Sequence, residues 1–166
     1  MEKPFPLNTK IGQIQGLISL LKEHGDKLSL EELSDESFQQ IDDLVNILDA
    51  CRILGFIKIQ KNMIVLNKTL EKRNSHEINH EISRKISGME PFSIIIKEIR
   101  KNKGISTTEL FHILINRGLI SYRDNMAGIE AFKRDLLVIG IRLNLISYDH
   151  ENDVWHLPTK RLTGKN

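Results

Sequence analysis

Two short capping sequences, Ser29-Leu30-Glu31-Glu32 and Ser106-Thr107-Thr108-Glu109, stand 77 residues apart and set the frame of this chain. In such a sequence the serine hydroxyl accepts the N–H three residues on and the glutamate reaches back to the serine N–H, which marks the first turn of a helix. Before Ser29, Ile11, Ile14, Ile18 and Leu21 recur at spacings of three and four, and Gly25 follows as a stop. After it, a short helix over Leu30 to Leu33 and a turn at Ser34-Asp35-Glu36 lead into a third helix. That helix carries the apolar stripe Phe38, Ile41, Leu44, Val45, Leu48 and Cys51, with Gly55 at its left-handed cap. The period then falls to two: Phe56 to Gln60 and Met63 to Asn67 are β-rich runs about Lys61-Asn62, which reads as a tight hairpin.

The order returns around Ser106. Phe92, Ile95, Ile96 and Ile99 predict a helix ending near Gly104, and Leu110, Ile113 and Leu114 predict the capped helix, ended by Gly118. Ile129, Phe132, Leu136 and Ile139 predict a longer helix, broken near Gly140 and extended by one turn to Leu143. Leu145 to Tyr148 and Val154 to Leu157 then flank a polar turn over Asp149 to Asp153. The predicted fold is mostly α with small β-hairpins, an α+β class, as two tandem winged helix-turn-helix units joined by a connector helix. The expected boundaries are 8–68 for the first unit, 69–88 for the connector, 89–158 for the second unit and 159–166 for a polar tail. Ile78, Ile82 and Ile86, four apart, give the connector one narrow apolar stripe, with Asn74 and Glu77 as a capping pair, and it is expected to pack between or across the units.

Composition narrows the function. The 166 residues include 24 Lys+Arg and 22 Asp+Glu, and 24 Ile and 21 Leu against 3 Ala, so small cores are filled by branched aliphatics. One cysteine, Cys51, excludes an internal disulfide and a Cys-rich zinc site, and points to a reducing, cytoplasmic setting. No apolar run approaches the ~20 residues of a membrane helix, and Met1-Glu2-Lys3-Pro4 opens no signal peptide. The near-neutral charge is a sum of unlike parts. Residues 1–66 hold 7 basic and 10 acidic side chains, 67–88 hold 5 and 3, and 89–166 hold 12 and 9.

Three stretches carry a likeness to a known family: Ile14-Gln15-Gly16-Leu17-Ile18-Ser19-Leu20-Leu21, Ala50-Cys51-Arg52-Ile53-Leu54-Gly55-Phe56, and Leu145-Ile146-Ser147-Tyr148-Asp149 with Val154-Trp155-His156-Leu157. From about Pro6 to Leu157 the chain resembles the C-terminal AAA-associated domain, the module that follows the ATPase in nitrate-, sulfonate- and taurine-type ABC transporter ATP-binding subunits. The resemblance implies a non-catalytic module that accompanies and regulates a transporter ATPase, and it implies no active-site residues. This chain has no Gly-x-x-x-x-Gly-Lys-Ser/Thr loop, and Gly164-Lys165-Asn166 is no substitute, since a phosphate cradle needs a glycine-rich turn feeding a helix.

His76-Glu77-Ile78-Asn79-His80 is a literal His-Glu-x-x-His, the helical spacing at which two histidines chelate zinc and the glutamate activates its water. Its surroundings argue against a site. Ser83 and Ile86 replace the glycine and histidine of the longer motif, Lys72-Arg73-Asn74-Ser75 is no apolar lead-in, and Glu98 as a third ligand lies beyond Gly88 and Pro91. His76 and His80 are therefore only marginal metal candidates; His80, Arg84, Glu81 and Lys85 read as surface residues, with Glu81 and Lys85 at ion-pair spacing. No cofactor and no enzymatic activity are expected. The basic run Lys97, Arg100, Lys101 and Lys103 suits a helix C-terminus. Asp149 to Asp153 lacks the glycine and distal glutamate of a calcium loop. Trp155 reads as core, and Cys51 as a buried, inert thiol.

A winged helix invites a DNA reading. In the first unit Asp35, Glu36, Asp42, Asp43 and Asp49 stand against Arg52 on the third helix and its approach, a face that phosphates repel. In the second, Arg123, Lys133, Arg134 and Arg142 are the candidate nucleic-acid contacts, offset by Asp124, Glu130 and Asp135 and by the acidic turn at Asp149, Glu151 and Asp153. The expectation is a regulatory protein-interaction module whose partner is an ABC-type ATPase subunit or a second copy. The alternative is a DNA-binding regulator that reads through the second unit.

Overall fold

The computed structural model describes residues 3–159. The predicted tail from residue 160, with Gly164-Lys165-Asn166, lies outside the described residues. The chain is α+β, with seven α-helices and two three-stranded antiparallel sheets among the described residues, and it divides into two compact units after Ile86.

The first unit runs α1 (Ile11–Glu23), β1 (Lys27–Ser29), α2 (Leu30–Ser37), α3 (Ile41–Ile53), β2 (Ile57–Gln60), β3 (Met63–Leu66), a 3-10 turn (Lys68–Leu70) and α4 (Ser75–Gly88), whose last two residues fall past the division. Both arms of the predicted capping box form: Ser29 Oγ accepts the Glu32 N–H at 3.1 Å and Glu32 accepts the Ser29 N–H at 2.8 Å. That helix does not stop at Leu33. It continues through the predicted turn to Ser37, because Ser34 and Ser37 hydroxyls donate to backbone carbonyls around its last turn and Phe38 takes the left-handed cap at φ 54°. Asp35 and Glu36 therefore belong to α2.

Lys61 and Asn62 both adopt positive φ, as the predicted two-residue hairpin requires, and pair β2 with β3 in the register Ile57↔Leu66 and Ile59↔Ile64. β1 adds on the other side of β3, with Leu28 opposite Ile64. This third strand escaped the sequence pattern, since three residues are too few to show a period of two. The core gathers Ile14, Ile18, Leu21, Leu33, Leu48, Cys51 and Ile64, all buried. Fully burying such a side chain contributes roughly 1.5–3 kcal/mol.

The predicted connector stripe Ile78, Ile82 and Ile86 is buried, and Asn74 Oδ1 accepts the Glu77 N–H at 2.9 Å as its cap. The helix that carries this stripe falls with the first unit up to Ile86 rather than forming a separate connector. Gln15 bonds Asn79, and Lys22 bonds the Arg73 carbonyl. The predicted Glu81–Lys85 pair does not form. Glu81 takes Arg84 at 2.6 Å and Arg73 at 3.3 Å, whereas Lys85 donates to the Leu54 carbonyl at 2.7 Å and lies 5.3 Å from the Phe56 ring centroid. The negative C-terminal end of α3, with Gly55 left-handed at φ 72°, is the better site for an ammonium.

The second unit repeats the order: α5 (Phe92–Asn102), β4 (Ile105–Ser106), α6 (Thr107–Asn116), α7 (Met126–Arg142), β5 (Ser147–Asp149) and β6 (Val154–His156). Its sheet order, β4-β6-β5, matches the β1-β3-β2 order of the first, with the last strand central in both. Ile105 and Tyr148 flank Trp155 in register. Ser106 caps α6 by accepting the Glu109 N–H at 3.2 Å, and Phe92, Ile95, Phe111, Phe132, Leu136 and Trp155 fill the core. α7 is unbroken at Gly140. The glycine is there for packing, because a Cβ would lie 2.5 Å from Ile146.

Candidate interaction surfaces on the third helices

The exposed faces of α3 and α7 hold most of the large apolar side chains that the fold leaves in solvent. On α3, Leu44, Ile47, Leu48, Ala50 and Cys51 are the buried face, while Ile41 and Val45 are exposed and Phe38, just before the helix, is 96% exposed. The sequence stripe that joined Phe38, Ile41 and Val45 to the core is thus two stripes. The signal was present: α3 has more apolar positions than one helix face can bury against a core this small. On α7, Met126, Val138 and Ile141 are exposed at 82%, 58% and 45%, against a buried face of Phe132, Leu136 and Ile139.

The charges around them differ. Asp42 and Asp43 are exposed on the first turn of α3, and Asp49 is bound by Lys3 and Arg52, each at 2.7 Å. The hydrogen bond from Lys3, then that from Arg52, holds the Asp49 carboxyl below its ordinary range despite partial burial. On the second unit Arg123 is exposed in the loop before α7, Arg134 is exposed on α7 and Arg142 is exposed at its last residue. Lys133 turns inward instead. Its ammonium lies 4.9 Å from the Tyr148 ring centroid and 3.9 Å from Asp153, and hydrogen bonding with Tyr148 raises its pKa. This predicted nucleic-acid contact is therefore engaged in holding the hairpin.

The acidic turn is likewise occupied internally. Asp149 accepts the N–H groups of Glu151 and Asn152 and the Asn152 amide, while Asp153 accepts the Thr107 and Tyr148 hydroxyls. Those bonds describe a closed polar hairpin turn rather than a calcium loop.

His76, Glu77 and His80 lie exposed on α4, and Glu77 is engaged as the cap partner of Asn74. Glu98 is buried against Arg117 at 3.3 Å and the Asn102 amide. Among the described residues no three His, Cys, Asp or Glu side chains gather as a metal site. Burial pushes the Cys51 thiol up to about 12, so the thiolate that a nucleophile requires is suppressed. No helix of the described residues is long and apolar enough to cross a membrane.

On the first unit a cleft of 310 Å³ opens between α1, α2 and α3, lined by Gly16, Leu17, Leu20, Leu33, Leu44 and Ile47. Gln13, Gln39 and Ile47 continue it into a polar groove of 590 Å³ that carries Lys3, Lys10, Asp43 and Asp49. A comparison of the chain with protein-family models finds no match, and a search of curated proteins finds no relative. The likeness to the C-terminal AAA-associated domain therefore rests on the residues quoted for it.

Proposed function

We propose that this chain is a non-catalytic, regulatory protein-interaction module made of two tandem winged helix-turn-helix units, with an ABC-type transporter ATPase subunit as its partner. The twice-repeated order helix, strand, helix, helix, strand, strand, with the last strand central in the sheet, supports the winged-helix reading. One observation carries the interaction reading: each third helix leaves aliphatic side chains in solvent, Ile41 and Val45 on α3 and Val138 and Ile141 on α7. A helix that reads DNA presents cations and hydrogen-bonding side chains, whereas exposed aliphatics on such a face suit a protein partner. The choice of an ATPase comes from the family resemblance. Affinity capture with the full chain, and with Val138→Asp/Ile141→Asp, tests it: an ATPase subunit retained by the first and lost by the second is the expected result.

A DNA-binding regulator is the second reading, favoured by Arg123 and Arg134, both exposed beside or on α7. A low-salt shift assay with Arg123→Glu/Arg134→Glu tests it. Binding that persists unchanged removes α7 as the reader.

A further inference from the structure

We infer that the first unit is a self-complementary docking face, on which Phe38 of one copy enters the apolar cleft of a second copy and the exchange is reciprocal. The inference rests on the reading of the chain as a protein-interaction module and names the occupant of one of its surfaces.

Phe38 has no structural reason to be phenylalanine within a single copy. It ends α2 in the left-handed region, with its N–H bonded to the Asp35 carbonyl and the next N–H to the Ser34 carbonyl, a backbone position that favours glycine or asparagine. A bulky side chain there costs backbone energy, and at 96% exposure it recovers none by burial. Its ring is a knob held out on a rigid helix end.

The matching hole is beside it. Ser37 and Gln39, the chain neighbours of Phe38, both line the 310 Å³ cleft, whose floor is leucine and isoleucine and whose size admits an aromatic ring. Phe38 does not fill this cleft itself. Gly16 keeps the mouth open: it is exposed in the middle of α1, where glycine weakens a helix, yet a Cβ there would meet nothing within 4 Å. The glycine is thus not demanded by packing inside the unit, and it allows a second chain to approach the α1 backbone.

A knob and a hole on one face define a two-fold pairing, in which each copy supplies both parts. The rim charges allow it. Asp42 lies in the shallow surface around Phe38 and Asp35 one turn before it, while the groove that extends the hole carries Lys10 and Lys3 beside Asp43 and Asp49, with Lys3 bound to Asp49. Crossing the two copies sets Lys10 of one against the acidic side of the other. A central aromatic anchor in an apolar pocket with a charged rim is the usual form of an energetically dominant contact.

Sedimentation equilibrium of the full chain over a range of concentrations tests the pairing. The wild type is expected to reach a dimer and go no further, since a two-fold contact closes on itself. Phe38→Lys and Gly16→Glu are each expected to weaken the dimer roughly 30-fold or more, as loss of such an anchor does. An equimolar mixture of the two variants is expected to recover a heterodimer, because one knob, one hole and a new Lys–Glu contact remain. Phe38→Gly, suited to the left-handed backbone, is the folding control: monomeric, with an undiminished melting temperature under conditions where the wild type is also monomeric. A wild type that stays monomeric throughout, variants that stay dimeric, or a mixture that stays monomeric overturns the proposal. Capture of a partner through Val138 and Ile141 is unaffected by any of these variants, so failure here is distinct from failure of the wider reading.

Discussion

The Thr107 hydroxyl donates to the Asp153 carboxylate at 2.6 Å, tying the first turn of α6 to the end of the hairpin turn in the second unit. The same oxygen accepts the buried Trp155 indole N–H at 3.0 Å, and Tyr148 adds a second hydroxyl to Asp153. Thr107→Val keeps the shape but leaves an indole donor without its acceptor and Asp153 short of a donor. It is expected to cost about 1–3 kcal/mol. Urea denaturation followed by Trp155 fluorescence measures it.

Asp153 makes the second unit acid-sensitive. Burial works to raise its pKa, but the Thr107 and Tyr148 hydrogen bonds and Lys133 outweigh that and hold it below 3.8. A carboxyl depressed in the folded state contributes stability above its unfolded pKa and loses it as pH falls through the folded one. Melting temperature is therefore expected to fall with acidification below about pH 4, and Asp153→Asn is expected to lower the plateau and flatten that limb. Equal acid slopes for the two proteins would contradict this.

Gly140 and Ile146 are coupled by sterics alone. Gly140→Ala places a methyl 2.5 Å from Ile146 and is expected to destabilise by about 1–3 kcal/mol, despite the better helix propensity of alanine. Ile146→Ala removes the obstructing atoms. A double-mutant cycle is expected to give a combined loss smaller than the sum of the single losses; strict additivity would mean that α7 shifts to accommodate the methyl.

Order within the sequence was easiest to read where one signal had one meaning. The capping serines, the Lys61-Asn62 hairpin and the Ile78, Ile82, Ile86 stripe each allow a single local structure, and each is where it was predicted. Phe38, Ile41 and Val45 misled because apolar periodicity reports amphipathicity without saying which neighbour covers the face. A buried stripe and a solvent-exposed one on adjacent turns look alike. Lys85 misled for another reason: its partner, the Leu54 carbonyl, is 31 residues away and created by the cap at Gly55. Backbone acceptors of this kind leave no mark on side-chain spacing.

Cys51 offers a probe of the first unit. With its thiol buried and pushed up to about 12, it is expected to resist an aromatic disulfide reagent in native buffer and to react at the rate at which the first unit opens. Reaction rates that rise with urea in step with unfolding of that unit check this. Prompt stoichiometric labelling of the native protein contradicts it.

The cap and the histidines of α4 separate structure from metal chemistry. Asn74→Ala is expected to cost about 1 kcal/mol, as loss of an N-cap does. His76→Ala/His80→Ala is expected to change stability by less than about 0.5 kcal/mol, because both side chains are exposed. Metal analysis of untagged protein is expected to give the same substoichiometric zinc for wild type and double variant; one zinc per chain that disappears with the histidines contradicts it.

The central claim is that the third-helix faces bind protein rather than DNA. It is tested most directly by capturing native extract on the immobilised full chain and on Val138→Asp/Ile141→Asp, then identifying both the proteins and the nucleic acid retained. The account predicts an ABC-type ATPase subunit on the wild type, at least about tenfold depleted on the variant as loss of interface anchors implies, with no enrichment of DNA on either. Genomic DNA retained by both chains, with no such protein, would contradict it.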